Sequence, residues 1–265
     1  MDLTKPVVMG IINITPDSFY VNSRRQDEKQ ILEQAEKMLS EGAAILDCGG
    51  YSTRPGADDI SIQQEKSRVL PAIETIARHF PESIISVDTF RAEVAEAGIN
   101  AGAAIINDVS GGSLDREMIP TIGKLQVPYI LMHMRGTPQT MKALTNYDNL
   151  MKDLLTYFHI KIKELYLAGV KDIIIDPGIG FAKTADHNFE ILRKLNYLNI
   201  LNYPILVGLS RKSFIYKTLE TDPEESLNGT SILNTISLMN GASILRVHDV
   251  KAAAEAIKLY NRIYH

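Results

Sequence analysis

The sequence predicts an α/β fold of the (β/α)8 type, a TIM barrel, formed by a single domain over residues 1–265. Short apolar, β-branched runs alternate with longer segments of helical period, and no Pro-, Gly- or Ser-rich linker interrupts them. The length also fits, because single barrels commonly run to about 250 residues. The alternative is an open doubly wound sheet, but such sheets rarely show eight even repeats of strand and helix.

The strand segments are nearly continuous apolar runs. This pattern is typical of strands that are covered on both faces, as in a parallel sheet. Eight such runs follow one another along the chain, at residues 7–14, 44–47, 84–88, 104–109, 128–133, 172–176, 204–209 and 242–247.

A segment of helical period follows each strand. At the start of the first such segment, Asp27 and Gln30 are placed as a capping box. Gly42 is placed where this helix would end. Its apolar positions repeat at helical spacing, at Ile31, Leu32, Ala35, Met38 and Leu39. The same period predicts helices over residues 61–80, 91–101, 116–124, 147–168, 184–195, 224–239 and 250–264.

Composition excludes several classes of protein. The chain has 28 basic and 32 acidic side chains, a net charge of −4 and no basic cluster longer than a pair, whereas a nucleic-acid-binding protein needs a basic face. No apolar run approaches the roughly 20 residues of a membrane span. The single cysteine, Cys48, allows no internal disulfide, and the N-terminus lacks a leader pattern, so we expect a cytoplasmic protein.

All eight predicted strands end in polar or ionisable residues, and the active site of a barrel lies at these carboxyl ends. An Asp or Asn at one strand end often only caps a helix or starts a turn, so the complete set is the stronger signal. Strands seven, eight, one and two carry a donor-rich and cationic arc, made of Asn13, Arg54, Arg211, Lys212, Arg246 and His248. Strands three, four and six carry acceptors, namely Asp88, Asn107, Asp108 and Asp176.

A mouth with this polarity fits a ligand that has a polyanionic group at one side and a ring rich in N–H donors at the other. Barrels commonly bind phosphate after strands seven and eight. Carboxylates only accept hydrogen bonds, so they satisfy neighbouring N–H groups that an apolar site would leave unpaired. The sequence therefore predicts a phosphorylated, nitrogen-rich heterocycle as the ligand.

Eight blocks at these strand ends resemble the dihydropteroate synthase family, the pterin-binding enzymes of folate biosynthesis that sulfonamides target. Read in order, the blocks cover residues 9–19, 47–56, 86–89, 107–112, 132–134, 176–181, 208–213 and 246–250. One block such as Asp176-Pro-Gly would mean little, but the ordered set spans essentially the whole chain. The resemblance implies a transferase that condenses 7,8-dihydropterin-6-ylmethyl diphosphate with 4-aminobenzoate by an SN1-like path, giving 7,8-dihydropteroate and diphosphate.

The resemblance also implies roles for individual residues. The expected catalytic residues are Asp88, Asp176, Lys212, Arg246 and His248. The expected pterin-binding residues are Asp88, Asn107, Met132, Asp176, Phe181, Gly208, Lys212 and Arg246. The diphosphate is expected on Asn13, Arg54, Arg246 and His248, with Mg²⁺ as the cofactor on Asn13. The 4-aminobenzoate is expected on Phe19, Thr53, Pro55, Phe181, Lys212 and Ser213.

The chain departs from the family pattern at two places. Tyr51 stands where the family commonly has an acidic residue, and Tyr20 follows Phe19 where the family often continues Ser-Asp-Gly-Gly, with Asn22 as a partial substitute for the missing aspartate. Family members are generally homodimers, and the last two helices are the candidate interface.

Three other functions stay open at this point. A pterin-binding methyltransferase that acts on a corrinoid protein shares the barrel and the pterin-facing Asp and Asn residues, but it does not need the segments 53–56 and 210–213. A catalytically idle pterin-binding paralogue would lack loop or diphosphate residues, whereas this chain has them. An interaction scaffold is the third alternative.

Overall fold

The structure is a computed structural model that describes residues 3–14, 24–52 and 59–264, with the backbone alone for 24–27. Eight parallel strands close into a barrel in chain order, and β8 pairs with β1 to complete it. The strands are β1 Val7–Asn13, β2 Ala43–Gly49, β3 Ile84–Asp88, β4 Ile105–Asp108, β5 Tyr129–Met132, β6 Ile173–Asp176, β7 Ile205–Val207 and β8 Ala242–Val247.

Helices surround this barrel. They are α1 Arg24–Ser40, α2 Ile62–His79, α3 Ala92–Asn100, α4 Met118–Leu125, α5 Leu150–Leu167, α6 Ala185–Arg193, α7 Ser213–Thr218, α8 Leu227–Met239 and α9 Val250–Tyr264. Short 3-10 helices cover Met141–Ala143 and Leu195–Leu201. In the described part of the chain, no helix has the length and apolarity needed to cross a membrane.

The predicted barrel is confirmed, and all eight predicted strands are present. Three local predictions differ from the structure. Helix α1 begins at Arg24, so Asp27 lies inside the helix and the predicted capping box is wrong. Strand β2 continues to Gly49, which places Asp47 within the strand and not at its end. The six-residue helix α7 was not predicted, because it has too few turns to show a helical period.

The alternation of side chains along the strands positions the site. One buried apolar layer fills the inside of the barrel, formed by Met9, Ile45, Ile105, Ile130, Ile174, Leu206 and Ile244. Successive inward-facing side chains are two residues apart along a strand. The next inward layer towards the carboxyl ends is therefore formed by Ile11, Asp47, Asn107, Met132, Asp176, Gly208 and Arg246. The barrel interior thus changes from apolar to polar within one step along four of these strands, at Asp47, Asn107, Asp176 and Arg246.

Candidate active site

A pocket opens at the carboxyl ends of the strands, directly above the inner apolar layer. Its lining residues are Ile11, Asp88, Asn107, Val109, Met132, Asp176, Phe181, Gly208, Ser210, Lys212, Arg246 and His248. All eight residues predicted for the pterin ring are in this set, and so is His248. The structure therefore brings together, from six strands and the loops that follow them, side chains that are far apart in the sequence, such as Asp88 and Arg246, which are 158 residues apart.

Arg246 on β8 connects two acidic residues across the barrel. Its Nε donates to Asp47 Oδ2 at 2.6 Å, and its Nη2 donates to Asp88 Oδ2 at 2.6 Å. Asn107 Nδ2 donates to the same Asp47 oxygen at 3.0 Å. Because both charged bonds are short and partly buried, the guanidinium is held in one orientation at the floor of the pocket.

The two predicted acidic pterin ligands lie in environments that disfavour their ionised forms. Burial raises the pKa of Asp88 to about 7, against the lowering effect of Arg246. Burial also raises the pKa of Asp176, while its bond from the Gly178 backbone N–H at 2.7 Å and the nearby Lys212 oppose that rise. Hydrogen bonds from the N–H groups of a ligand would therefore favour the ionised form of both carboxyl groups.

Lys212 and Phe181 form one wall of the pocket. The ammonium nitrogen of Lys212 lies 4.7 Å from the centre of the Phe181 ring and donates to the backbone oxygen of Ile179. Burial lowers the pKa of Lys212 to about 8, although Asp176 opposes that shift. This wall offers an aromatic face and a cation side by side, which suits a planar ring that carries an acceptor.

Asp108 does not belong to the acceptor group predicted at the mouth. Its side chain is fully buried and accepts from the Tyr129 hydroxyl at 2.6 Å, from Ser110 at 2.7 Å and from the Gly112 N–H at 2.7 Å. Asn107 occupies the inward position on β4, so the next residue faces away from the barrel axis. Asp108 therefore stabilises the turn after β4.

Arg211 does not belong to the predicted cationic arc either. Its guanidinium makes a two-bond pair with Asp249, at 2.8 and 2.9 Å, and donates to the backbone oxygens of Pro223 and Glu224 at 2.9 and 2.7 Å. Arg211 therefore connects the segment before α8 with the loop after β8. The mouth is consequently less cationic than the sequence predicts.

The remaining predicted site residues are placed as follows. Asn13 ends β1 and Ser213 begins α7; both are exposed at the barrel mouth, and neither lines the pocket. The other four, Phe19, Thr53, Arg54 and Pro55, lie outside the described residues.

Lys183 and His133 form a buried pair behind the pocket that sequence analysis missed. Lys183 Nζ lies 3.0 Å from His133 Nδ1 and donates to the Phe181 backbone oxygen at 2.9 Å. Burial lowers the pKa of Lys183 to about 7 and that of His133 to about 2, so the ring is neutral and accepts from the lysine. The pair supports the loop that carries Phe181. No periodicity in the sequence marks it, because its members are 50 residues apart.

Tyr51, the departure from the family pattern, is held at the edge of the barrel mouth and does not line the pocket. Its ring packs edge-on against Phe90 with centroids 5.0 Å apart, and the guanidinium of Arg91 lies 5.3 Å from its centre. Its hydroxyl donates to Asp59 Oδ1 at 3.2 Å and accepts from Gln139 Nε2 at 3.2 Å. These contacts connect the residues on either side of the undescribed segment 53–58.

The barrel and its acid-lined pocket define a class of protein, and comparison with known proteins gives the same class. A model of the family described as pterin binding enzyme matches residues 9–248, so the chain belongs to the pterin-binding enzymes. The dihydropteroate synthase of Synechocystis sp. is 43% identical over 260 residues, which are 97% of this chain and 90% of that protein.

Solved structures narrow the family further. The Yersinia pestis dihydropteroate synthase in complex with a sulfonamide drug superposes with a TM-score of 0.93 at 39% identity, covering 100% of this chain and 96% of that one. The Clostridium difficile enzyme in the presence of pteroic acid superposes with a TM-score of 0.92 at 37% identity, covering 98% and 97%. Within its family, the chain therefore groups with the dihydropteroate synthases, which are transferases.

Proposed function

We propose that the protein condenses 7,8-dihydropterin-6-ylmethyl diphosphate with 4-aminobenzoate and releases 7,8-dihydropteroate and diphosphate. The observation that carries the proposal is the polarity of the pocket, which sets the acceptors Asp88 and Asp176 against the cations Lys212 and Arg246. The relatives add support, because the Yersinia pestis enzyme forms a complex with a sulfonamide and the Clostridium difficile enzyme was crystallised in the presence of pteroic acid.

The pterin ring is proposed to pack against Met132 and Phe181, whose apolar side chains line the cavity. Asp88, Asn107 and Asp176 accept hydrogen bonds from the amino and ring N–H groups. These pairings give each of the three acceptors a donor when the ring displaces water. Lys212 donates to the oxygen and nitrogen edge of the ring.

The reaction exchanges a carbon–oxygen bond for a carbon–nitrogen bond. The bond between the exocyclic methylene carbon and the diphosphate oxygen breaks, and its electron pair leaves with diphosphate. The negative charges of Asp88 and Asp176 stabilise the pterin cation that remains, while Arg246, His248 and Arg54 stabilise the leaving group. The amine of 4-aminobenzoate then attacks the carbon and loses a proton. Phe19, Thr53, Pro55 and Ser213 are proposed to hold this second substrate.

Mg²⁺ is the proposed cofactor, with Asn13 as its protein ligand. The described residues contain no group of three or more His, Cys, Asp or Glu side chains placed to bind a metal. A single asparagine that is exposed at the barrel mouth nevertheless fits Mg²⁺, which usually keeps several waters and binds substrate phosphates. When bound, Mg²⁺ supplies positive charge to the diphosphate oxygens. Chelation of Mg²⁺ is therefore expected to weaken diphosphate binding and to leave binding of the pterin ring unchanged.

Diphosphate release tests the proposed reaction. The purified protein with Mg²⁺, the pterin diphosphate and 4-aminobenzoate is expected to release diphosphate only when both substrates are present. Lys212→Ala is expected to weaken pterin binding and turnover together, whereas Lys124→Ala, which removes an exposed lysine on α4, changes neither.

Two results would contradict the proposal. Pterin binding without diphosphate release would favour a catalytically idle paralogue. Methyl transfer from methyltetrahydrofolate to a corrinoid protein would favour the methyltransferase.

We further propose that the protein is a cytoplasmic homodimer. Helices α8 and α9 pack side by side and expose apolar side chains, among them Ile232, Met239, Leu259 and Ile263. An exposed apolar face of this kind is typical of a surface that pairs with another protein. The single cysteine, Cys48, is buried and free, which suits a reducing compartment.

A further inference from the structure

Asp47 lies beneath the floor of the pocket and bonds two residues that line it. Its side chain is fully buried on β2, and it does not line the cavity itself. Its Oδ2 accepts from Asn107 Nδ2 at 3.0 Å and from Arg246 Nε at 2.6 Å. A single buried oxygen thus connects side chains of β4 and β8 from inside the barrel.

The bond to Asn107 determines which way its amide faces. A carboxylate only accepts hydrogen bonds, so Asn107 must turn Nδ2 towards Asp47. The amide oxygen and the second N–H of Asn107 are then left for the pocket. Rotating the amide by half a turn would place two buried acceptors against each other with no proton between them, which is strongly unfavourable.

The bond to Arg246 acts on a second pocket residue, Asp88. Arg246 gives one N–H to Asp47 and one to Asp88, which leaves three of its five N–H groups for other partners. The positive charge is shared between two carboxylates, so Asp88 is not the only anion that neutralises it. Without Asp47, Asp88 alone would neutralise the guanidinium, and Arg246 would compete more strongly with a ligand for that carboxylate.

We propose that Asp47 is a positioning residue that makes the pocket select a ring edge carrying an amino group. It fixes the amide oxygen of Asn107 towards the ligand, and it shares the charge of Arg246 with Asp88. The inference rests on the proposed function, because it takes the pterin ring as the ligand. The inference adds to that function a structural reason for the pocket to prefer a 2-amino ring over a 2-oxo ring.

The test compares two ligands that differ at this one position. 6-Hydroxymethyl-7,8-dihydropterin carries the 2-amino group, and its 2-oxo analogue, the corresponding dihydrolumazine, carries an acceptor there. The Kd of each is measured by calorimetry for the wild type and three variants. Asp47→Asn keeps the volume but allows the Asn107 amide to turn. The exchange Asp47→Asn with Asn107→Asp restores one amide–carboxylate bond and places a carboxylate, which only accepts, at position 107. Ser86→Ala is the matched control.

Ser86 suits this control because it faces Asp47 in register on β3, is equally buried and has no hydrogen-bond partner among the described residues. The wild type is expected to prefer the 2-amino ring by at least about 100-fold, since a site built around specific hydrogen bonds strongly rejects a mismatched group. Asp47→Asn is expected to bind the pterin about tenfold more weakly and to lose most of the preference. The exchange is expected to restore the preference, and Ser86→Ala to leave it unchanged.

A role in stability alone would weaken both ligands equally and leave their ratio unchanged, and that result would overturn the inference. Failure of the exchange to restore the preference would also overturn it. Wild-type protein that binds neither ring would overturn the proposed function together with the inference. Thermal unfolding of each variant is followed in parallel. If Asp47→Asn does not fold, Asp47→Ser takes its place with the same expected loss of preference.

Discussion

At the scale of single residues, two carboxylates compete for one guanidinium. Asp88 lies beside Arg246, which favours its ionised form, but burial and the negative charges of Asp47, Glu65 and Asp108 outweigh that effect and raise the pKa of Asp88 to about 7. As the pH falls through 7, Asp88 takes up a proton and loses the charge that attracts N–H donors. Affinity for the pterin ring should therefore weaken on the acidic side.

On the alkaline side, the affinity for the pterin ring should depend on the protonation of Lys212. Burial and the neighbouring Arg246 lower the pKa of Lys212 to about 8, while Asp176 opposes the shift. Above pH 8 the ammonium loses its proton and donates a weaker hydrogen bond. We therefore expect the affinity for the pterin ring to be highest between about pH 7 and pH 8.

Titration calorimetry between pH 5.5 and 9.5 checks this bell-shaped dependence. The ligand should be a dihydropterin without diphosphate, because the diphosphate titrates in the same range. Asp88→Asn is expected to remove the acidic limb, and Lys212→Arg the alkaline limb, since arginine stays charged throughout. A profile that keeps both limbs in both variants would assign them to other groups.

How far the site could be predicted depends on how each residue acts. Asp88 and Asp176 end their strands, Lys212 lies in the loop after β7, and all three carry distinctive chemistry, so the sequence indicated them and the structure places them in one pocket. Lys183 acts only through a contact with a histidine 50 residues away, which no spacing reveals. Asp47 acts through two such contacts.

At the scale of elements, the phase of each strand, that is, which alternate residues face the barrel interior, decides which polar residues line the site. Asn107 and Asp108 are adjacent in sequence, and both were predicted as acceptors at the mouth. Only Asn107 faces the pocket, because it is two residues beyond the inward-facing Ile105, while Asp108 bonds Tyr129 outside the barrel. Strand positions could be predicted from apolar runs, but these runs do not alternate and therefore give no phase.

The turn after β6 requires glycine at position 178. Gly178 has a φ of +68°, and a Cβ there would lie 2.0 Å from the His133 backbone oxygen and 3.3 Å from Lys183 Nζ. Gly178→Ala would therefore push the turn away from β5 and move Asp176, which accepts from the Gly178 N–H. We expect this substitution to lower the free energy of unfolding by about 3 kcal/mol, from backbone strain and overpacking together.

Gly169→Ala is the control for that substitution. Gly169 also has a positive φ, of +86°, but a Cβ there would meet only Gln126 Nε2 at 3.5 Å, an ordinary contact. Its expected cost is about 1 kcal/mol, from strain alone. Urea unfolding measures both values, and the pterin Kd should rise for Gly178→Ala only. Equal losses of stability would show that the clash with β5 is relieved elsewhere.

At the scale of the whole molecule, the mouth is polarised less strongly than the strand ends predicted. Arg211 is bound to Asp249, and Arg246 is shared between two carboxylates, so neither presents a full positive charge to the cavity. Lys212 is the remaining predicted cation among the described lining residues, and His248 is a further predicted diphosphate ligand there. Such a mouth suits a leaving group whose charge is offset partly by Mg²⁺, which agrees with the proposed cofactor.

Exposed apolar side chains on α8 and α9 form the proposed interface between two copies of the chain. On α9, Leu259 is 68% exposed and lies one turn from Ile263, and α8 exposes Ile232 and Met239 one heptad apart. Each helix therefore presents an apolar stripe, and the two stripes lie on neighbouring helices. Leu259→Glu is expected to convert a dimer into a monomer in sedimentation equilibrium, because pairing would bury the new charges without partners. Ile160→Glu, an equally mid-helical exposed position on α5, should leave the dimer intact, whereas dissociation by both variants would mean that the face on α8 and α9 is not the specific interface.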